Sequence, residues 1–279
     1  MIRVLLPDYY RPGNGVPLPC LRPKGKRDRA GEKGKAMGKM KKLIAGIAGL
    51  ALAAGLSGIT AIPSIAASNG TDVVGPGFTA SGQNSLNWAG YVKTDGGAYA
   101  VSANWTVPSV AGPNGYSASW VGLDGDGSPT VEQTGTMSAV IAGQPAYLAW
   151  VELYPASSVL IQDPVYPGDR MSGSVRAIGH GYYAIRLTDN TRGWNYARTV
   201  LDTAGMNASA EVITEAPSSA ATRNILPLAN FGSEHFTDVN ISGYATRVGM
   251  VARNWRVKAS VSGSQRDFTV HFEFAGLQH

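Results

Sequence analysis

The sequence predicts an all-β protein, an antiparallel sandwich of two sheets. Three observations carry that prediction. Only 15% of the 279 residues are charged, while 35 are Gly and 16 are Pro. Sparse charge with abundant turn formers suits short strands joined by tight turns. Runs rich in β-branched and aromatic residues recur along the chain, with turn signals between them. After Leu56, no stretch sustains a helical period with caps.

The strand-like runs, in order, are Ala98–Val107, Ala146–Tyr154 (closed by Pro155), Arg176–Thr188, Arg253–Val261 and Phe268–Phe274, the last alternating apolar and polar. Turns are signalled at Asp95-Gly96-Gly97, Pro113-Asn114-Gly115, Asp124-Gly125-Asp126-Gly127, Pro167-Gly168-Asp169 and Asp189-Asn190. No repeat at a solenoid period interrupts them.

A disordered or helical leader precedes this domain. Residues 1–39 are rich in Pro, Gly and Lys without periodicity, an unstructured upstream segment or a misassigned start, and Met37 or Met40 is the better beginning. Residues 40–67 read as a secretory signal peptide. Met40-Lys41-Lys42 is basic, Leu43–Leu56 is apolar, and small residues invite cleavage after Ala66 or Ala67. A membrane anchor is the weaker reading, because Gly46, Gly49, Gly55 and Gly58 dilute the run. Residues 68–86 form a flexible lead-in or short pro-segment, and 87–279 the folded domain. The expected product is a secreted monomer with no stable membrane association after signal cleavage.

With the first, basic segment removed from the mature protein, charge placement leaves no case for nucleic acid as a partner. Residues 1–42 hold twelve Lys/Arg against three acids, so twelve bases face sixteen acids in the rest. The lone Cys20 lies upstream, leaving no thiol for catalysis and no disulfide in the mature chain. There is no Gly-x-Ser-x-Gly elbow, no His-Glu-x-x-His and no phosphate-cradling Gly-Lys-Ser/Thr loop. Asp124-x-Asp126-x-Ser128 opens like a calcium loop, but Pro129 and Gly135 stand where Gly and a bidentate Glu belong. No metal and no cofactor are expected.

Five segments together resemble the glutamic peptidases, the eqolisin family. They are Asn87-Trp88-Ala89-Gly90, Ser102–Pro108, Ser119–Asp126 running on to Glu132-Gln133-Thr134-Gly135, Ala149–Pro155 and Ala210–Glu215. A weaker match follows at Leu226–Phe231 and Phe236–Asp238. Three departures stand out: the turn between Asp124 and Gln133 is one residue shorter than in the fungal enzymes, the fungal disulfides are missing, and the stretch ahead of Asn87 is short for a pro-segment. The resemblance implies a concanavalin-like sandwich with a cleft on one sheet and endopeptidase activity in acid. It also implies a catalytic pair, here Gln133 and Glu215. Trp88, Trp120, Asp124, Glu152, Tyr154 and Glu211 fall at positions that line or support such a cleft, and polypeptides are the implied substrates.

The pair suits the chemistry. A Glu carboxylate can take a proton from water and return it to the leaving amine, and its ordinary pKa of about 4.3 suits acid conditions. A Gln amide donates N–H at any pH, as oxyanion stabilisation requires. On a strand, Glu211, Ile213 and Glu215 share a face, with the two carboxylates roughly 13 Å apart along it. That is too far for a shared-proton dyad, whereas a dyad of Glu215 with Glu152 stays open. Taken alone, a strand Glu is most often a solvated residue and a Gln before Thr-Gly is most often turn chemistry. The competing function is a carbohydrate-binding module or a glycoside hydrolase using Glu152 and Glu215. That reading has no need of the Gln133 amide.

Overall fold

The computed structural model describes residues 3–4, 84–251 and 257–274. The expected signal peptide, most of the upstream segment and most of the lead-in lie outside the described residues. So does the start of the strand expected from Arg253. No helix among the described residues is long and apolar enough to cross a membrane.

The described chain is all strand and turn. In order the strands are β1 (Arg3–Val4), β2 (Asn84–Ser85), β3 (Trp88–Lys93), β4 (Ala100–Thr106), β5 (Gly115–Leu123), β6 (Val131–Ile141), β7 (Gln144–Tyr154), β8 (Val159–Ile161), β9 (Arg170–Gly179), β10 (Tyr182–Asp189), β11 (Trp194–Leu201), β12 (Ala210–Glu215), β13 (Ser218–Ser219), β14 (Ser233–Ile241), β15 (Thr246–Val251), β16 (Val257–Ser264) and β17 (Asp267–Phe274). The single strand expected over Arg176–Thr188 is a hairpin. Gly179, His180 and Gly181 all take positive φ and turn β9 back into β10. Glycine takes that conformation without steric cost, and two flank the bend.

The expected pair of separate sheets is instead one hydrogen-bonded path, β11-β10-β9-β4-β14-β17-β16-β15-β3-β12-β5-β6-β7-β8, with β2 added beside β15. Pairing along this path is antiparallel, and β15 joins its two arms. Met250 lies opposite Ala259 on β16, and Val248 lies opposite Gly90 on β3. The arms nevertheless share one core. Trp105, Met171, Ile185, Leu187 and Phe236 from the first pack in one cluster with Tyr91, Val121, Leu123 and Val212 from the second. The indole N–H of Trp105 donates across this core to Thr136 Oγ1 at 2.9 Å. Burial of such side chains is worth roughly 1.5–3 kcal/mol each, so this interlayer cluster holds the arms together.

Candidate active site

The second arm carries two different faces. Directly opposed residues in an antiparallel pair point the same way, and so do residues two apart. Val121, Val212, Thr134, Tyr91 and Val151 form one cross-strand row facing the interlayer core. The next row, one residue along, faces the other way and reads Val92, Glu211, Gly122, Gln133 and Glu152. Two residues further on the same face stand Ile213, Trp120, Gly135 and Trp150. Two more bring Trp88, Glu215, Ala118, Met137 and Leu148. Gln133, Glu152, Glu211 and Glu215 therefore share a face with three tryptophans. That face has its own apolar cluster of Trp88, Trp120, Trp150, Met137 and Ile213.

Two glycines are tightly enclosed on this face, Gly122 beside Gln133 and Gly125 beside Glu211. A methyl at Gly122 would lie 2.8 Å from the Trp120 ring and 3.0 Å from Gln133 Cβ, so only glycine fits between Gln133 and Glu211. A methyl at Gly125 would lie 2.8 Å from Trp88 Cη2 and 3.0 Å from Glu211 Cδ. Trp88 sits opposite Glu215, whereas Glu211 sits in the Gln133 row. The Trp88 ring thus spans the distance between two rows and reaches the Glu211 carboxyl beside Gly125. Trp88 and Trp120 meet edge to face, with ring centroids 5.2 Å apart.

Each polar side chain has its own partner. Gln133 Nε2 donates to Glu152 Oε2 at 3.4 Å. Glu215 Oε1 accepts from Asn87 Nδ2 at 3.1 Å. Gln133 and Glu215 are both fully buried. Glu152 is thus brought together with Gln133. Tyr154, half-buried, closes the same face at the end of β7 opposite Val131.

Asp124 is placed elsewhere. It takes positive φ and accepts backbone N–H groups from Met206, Asn207 and Ala208 at 2.9, 3.0 and 2.6 Å. Its carboxylate ties the turn after β5 to the segment that feeds β12, and so fixes where β12 begins. That role accounts for an Asp whose spacing resembles a calcium loop. Among the described residues no group of three or more His, Cys, Asp or Glu is suited to hold a metal.

Three buried carboxyls are held well above the ordinary range. Burial pushes Glu132 up to about 9, aided by the neighbouring charge of Asp124 and contact with its carboxyl. Burial pushes Glu211 up to about 8 against the hydrogen bonds of Ser209 and the Gly125 N–H. Burial pushes Glu234 up to about 7 against hydrogen bonds from Ser119 and Thr214, the latter 2.8 Å long. Glu234 carries no signal in the sequence, where it looks like an ordinary strand acid, and Glu132 is visible only as a member of a motif. Asn87 was visible only as part of a motif, because its partner stands 128 residues away.

A sequence profile of the Peptidase A4 family matches residues 86–270. Aspergillopepsin-2 of Aspergillus niger is 28% identical over 197 residues, which span 61% of this chain and 69% of that protein. The crystal structure of scytalido-glutamic peptidase with a transition-state analog inhibitor superposes with a TM-score of 0.59. It is 26% identical and covers 68% of this chain and 98% of its own. Aspergilloglutamic peptidase from Aspergillus niger shares the fold with a TM-score of 0.50 at 24% identity, over 57% of this chain and 99% of its own.

Proposed function

The chain belongs to the Peptidase A4 family and is a peptidase, and on that premise we propose that Gln133 and Glu215 form its catalytic pair. The observation that carries this reading is the shared face. Both side chains project from one side of the second arm, and the Trp88 ring from the Glu215 row reaches the Glu211 carboxyl of the Gln133 row beside Gly125. Glu215 takes the proton of a water, which attacks the scissile carbonyl carbon. Gln133 donates an N–H to the oxygen that becomes negative. Glu215 then returns the proton to the amide nitrogen as the C–N bond breaks. The Gln amide has two N–H groups. Glu152 holds one of them, which fixes the plane of the amide, and the second serves the oxyanion.

Substrate contacts fall to Trp88, Trp120 and Tyr154 on the same face, with Glu211 beside them. Asp124 acts at one remove, through the segment that starts β12. The two arms serve as the layers of a concanavalin-like sandwich, with the cleft on the second. Acid operation follows from a carboxylate base.

Secretion belongs to the same proposal, with residues 40–67 as the export signal and the monomer as the working form. Processing falls ahead of Asn84, since Ser85 and Asn87 contribute to the site. N-terminal sequencing of the exported protein tests this. A start after Asn87 overturns it.

The test of the pair is digestion of casein in acid by wild type and Glu215→Gln. General acid–base loss predicts a fall of about 10²–10⁴-fold with an unchanged fold. Full activity in Glu215→Gln would remove Glu215 from the mechanism.

A further inference from the structure

Asn87 stands between β2 and β3, fully buried, and is held at both ends of its side chain. Its Nδ2 donates to Glu215 Oε1 at 3.1 Å, and its Oδ1 accepts from Ser85 Oγ at 3.3 Å. The hydroxyl of Ser85 has no latitude. Its oxygen accepts the backbone N–H of Asn87 at 3.3 Å and of Trp88 at 3.1 Å, so both lone pairs are engaged. The one remaining function of Ser85 Oγ is to donate, and Asn87 Oδ1 is where it donates. The Asn87 amide is thereby oriented with its NH₂ toward Glu215.

The main chain reinforces this arrangement. Ala216 N donates to Asn87 O at 2.9 Å, clamping Asn87 to the residue after Glu215. Ser85 is itself placed by β2, which pairs with β15 in register Met250–Ser85.

We propose that Ser85 and Asn87 are positioning residues for catalysis, a relay that fixes the rotation of the Glu215 carboxyl and favours its ionised form. This rests on the reading of Glu215 as the catalytic base. With one oxygen fixed, the direction of the second follows, and an N–H directed at a carboxylate favours its charged state. Successive donors polarise one another, so removing the first weakens the last. A general base in acid needs this help, because protonation ends its function.

The experiment measures kcat, KM and the pH profile of kcat/KM for purified Asn87→Ala, Ser85→Ala and Ser85→Thr beside Glu215→Gln. Thermal unfolding of each variant is followed in parallel. Asn87→Ala is expected to lose about 10–100-fold in kcat, the scale of one hydrogen bond to a charged group. Its KM should stay within about twofold, and the acid limb of its profile should move to higher pH. Ser85→Ala should move both in the same direction by a smaller factor, and Ser85→Thr, which keeps the hydroxyl, should restore them. A merely structural role lowers the melting temperature without moving the acid limb, and that outcome overturns the proposal. So does wild-type kcat in Ser85→Ala together with an unmoved limb, which remains readable even if Asn87→Ala fails to fold. If Glu215→Gln is itself fully active, the catalytic reading fails. If Glu215→Gln is inactive while both relay variants behave as wild type, only the relay fails.

Discussion

The two arms of the path solve burial differently. Along β10 in the first arm, buried and open positions alternate: Tyr183, Ile185, Leu187 and Asp189 face in, while Tyr182 and Arg186 face out. Along β5 and β12 in the second arm every residue is buried. An arm with one covered face gains its stability from an ordinary apolar side. An arm buried on both faces can also withdraw polar groups from water, and there the acids, amide and tryptophans of the site collect. On the proposed reading, the first arm supplies scaffold and the second supplies chemistry.

Substitutions on the two sides of this division should separate rate from stability. Gln133→Ala is expected to lower kcat/KM by about 10²–10³-fold, the loss typical of one oxyanion donor, and to cost about 1–3 kcal/mol of stability by depriving buried Glu152 of the Gln133 donor. Phe236→Ala removes a fully buried ring stacked on Phe268, centroids 4.9 Å apart, and should cost about 3–5 kcal/mol in chemical unfolding. Its kcat/KM, measured where it stays folded, should match wild type. If Phe236→Ala instead changed the rate as strongly as the stability, the arms would not be separable.

A second contrast is in pH. The folded protein holds protons on Glu132, Glu211 and Glu234 up to about 9, 8 and 7, whereas the unfolded chain releases them near 4.5. Between those values the folded state binds more protons, so stability is full below about pH 4.5 and falls as pH rises. Each acid contributes a slope of up to about 1.4 kcal/mol per pH unit until its own folded value is passed. Melting temperatures at pH 4, 5.5 and 7 should decline steeply, and a flat profile would contradict the assignment. Glu132→Leu should make that decline shallower by about one acid's share while leaving kcat in acid unchanged, since Glu132 faces the core side and not the site. The smallest effect belongs to Arg186→Ala on the open side of β10, within about 0.5 kcal/mol of wild type.

Legibility followed the same division. The strands over Ala98–Val107 and Ala146–Tyr154 were evident from β-branched and aromatic runs, and β4 and β7 occupy them. The hairpin of β9 and β10 was hidden because Gly179-His180-Gly181 is too brief a break in a long β-like run. The single hydrogen-bonded path was not legible at all. It depends on β15 pairing with both β16 and β3, a long-range choice that no local pattern encodes. In the site, Gln133 and Glu215 were singled out by resemblance, since a lone Gln or Glu on a strand carries no signal of its own. Their partners Glu152 and Asn87 come from cross-strand register and from contact over 128 residues. The raised acids were invisible because burial, and not neighbouring sequence, sets their protonation.

The central claim is that one amide and one carboxylate act on one reacting centre, and a double-mutant cycle tests it most directly. Gln133→Ala, Glu215→Gln and the double variant are compared in kcat/KM at a single acid pH, with folding checked for each. Groups that act as a unit lose their function together, so the double variant should be little slower than the worse single one. Losses that multiply, the double falling by the product of the two singles, would mean that the groups work independently and would contradict this account.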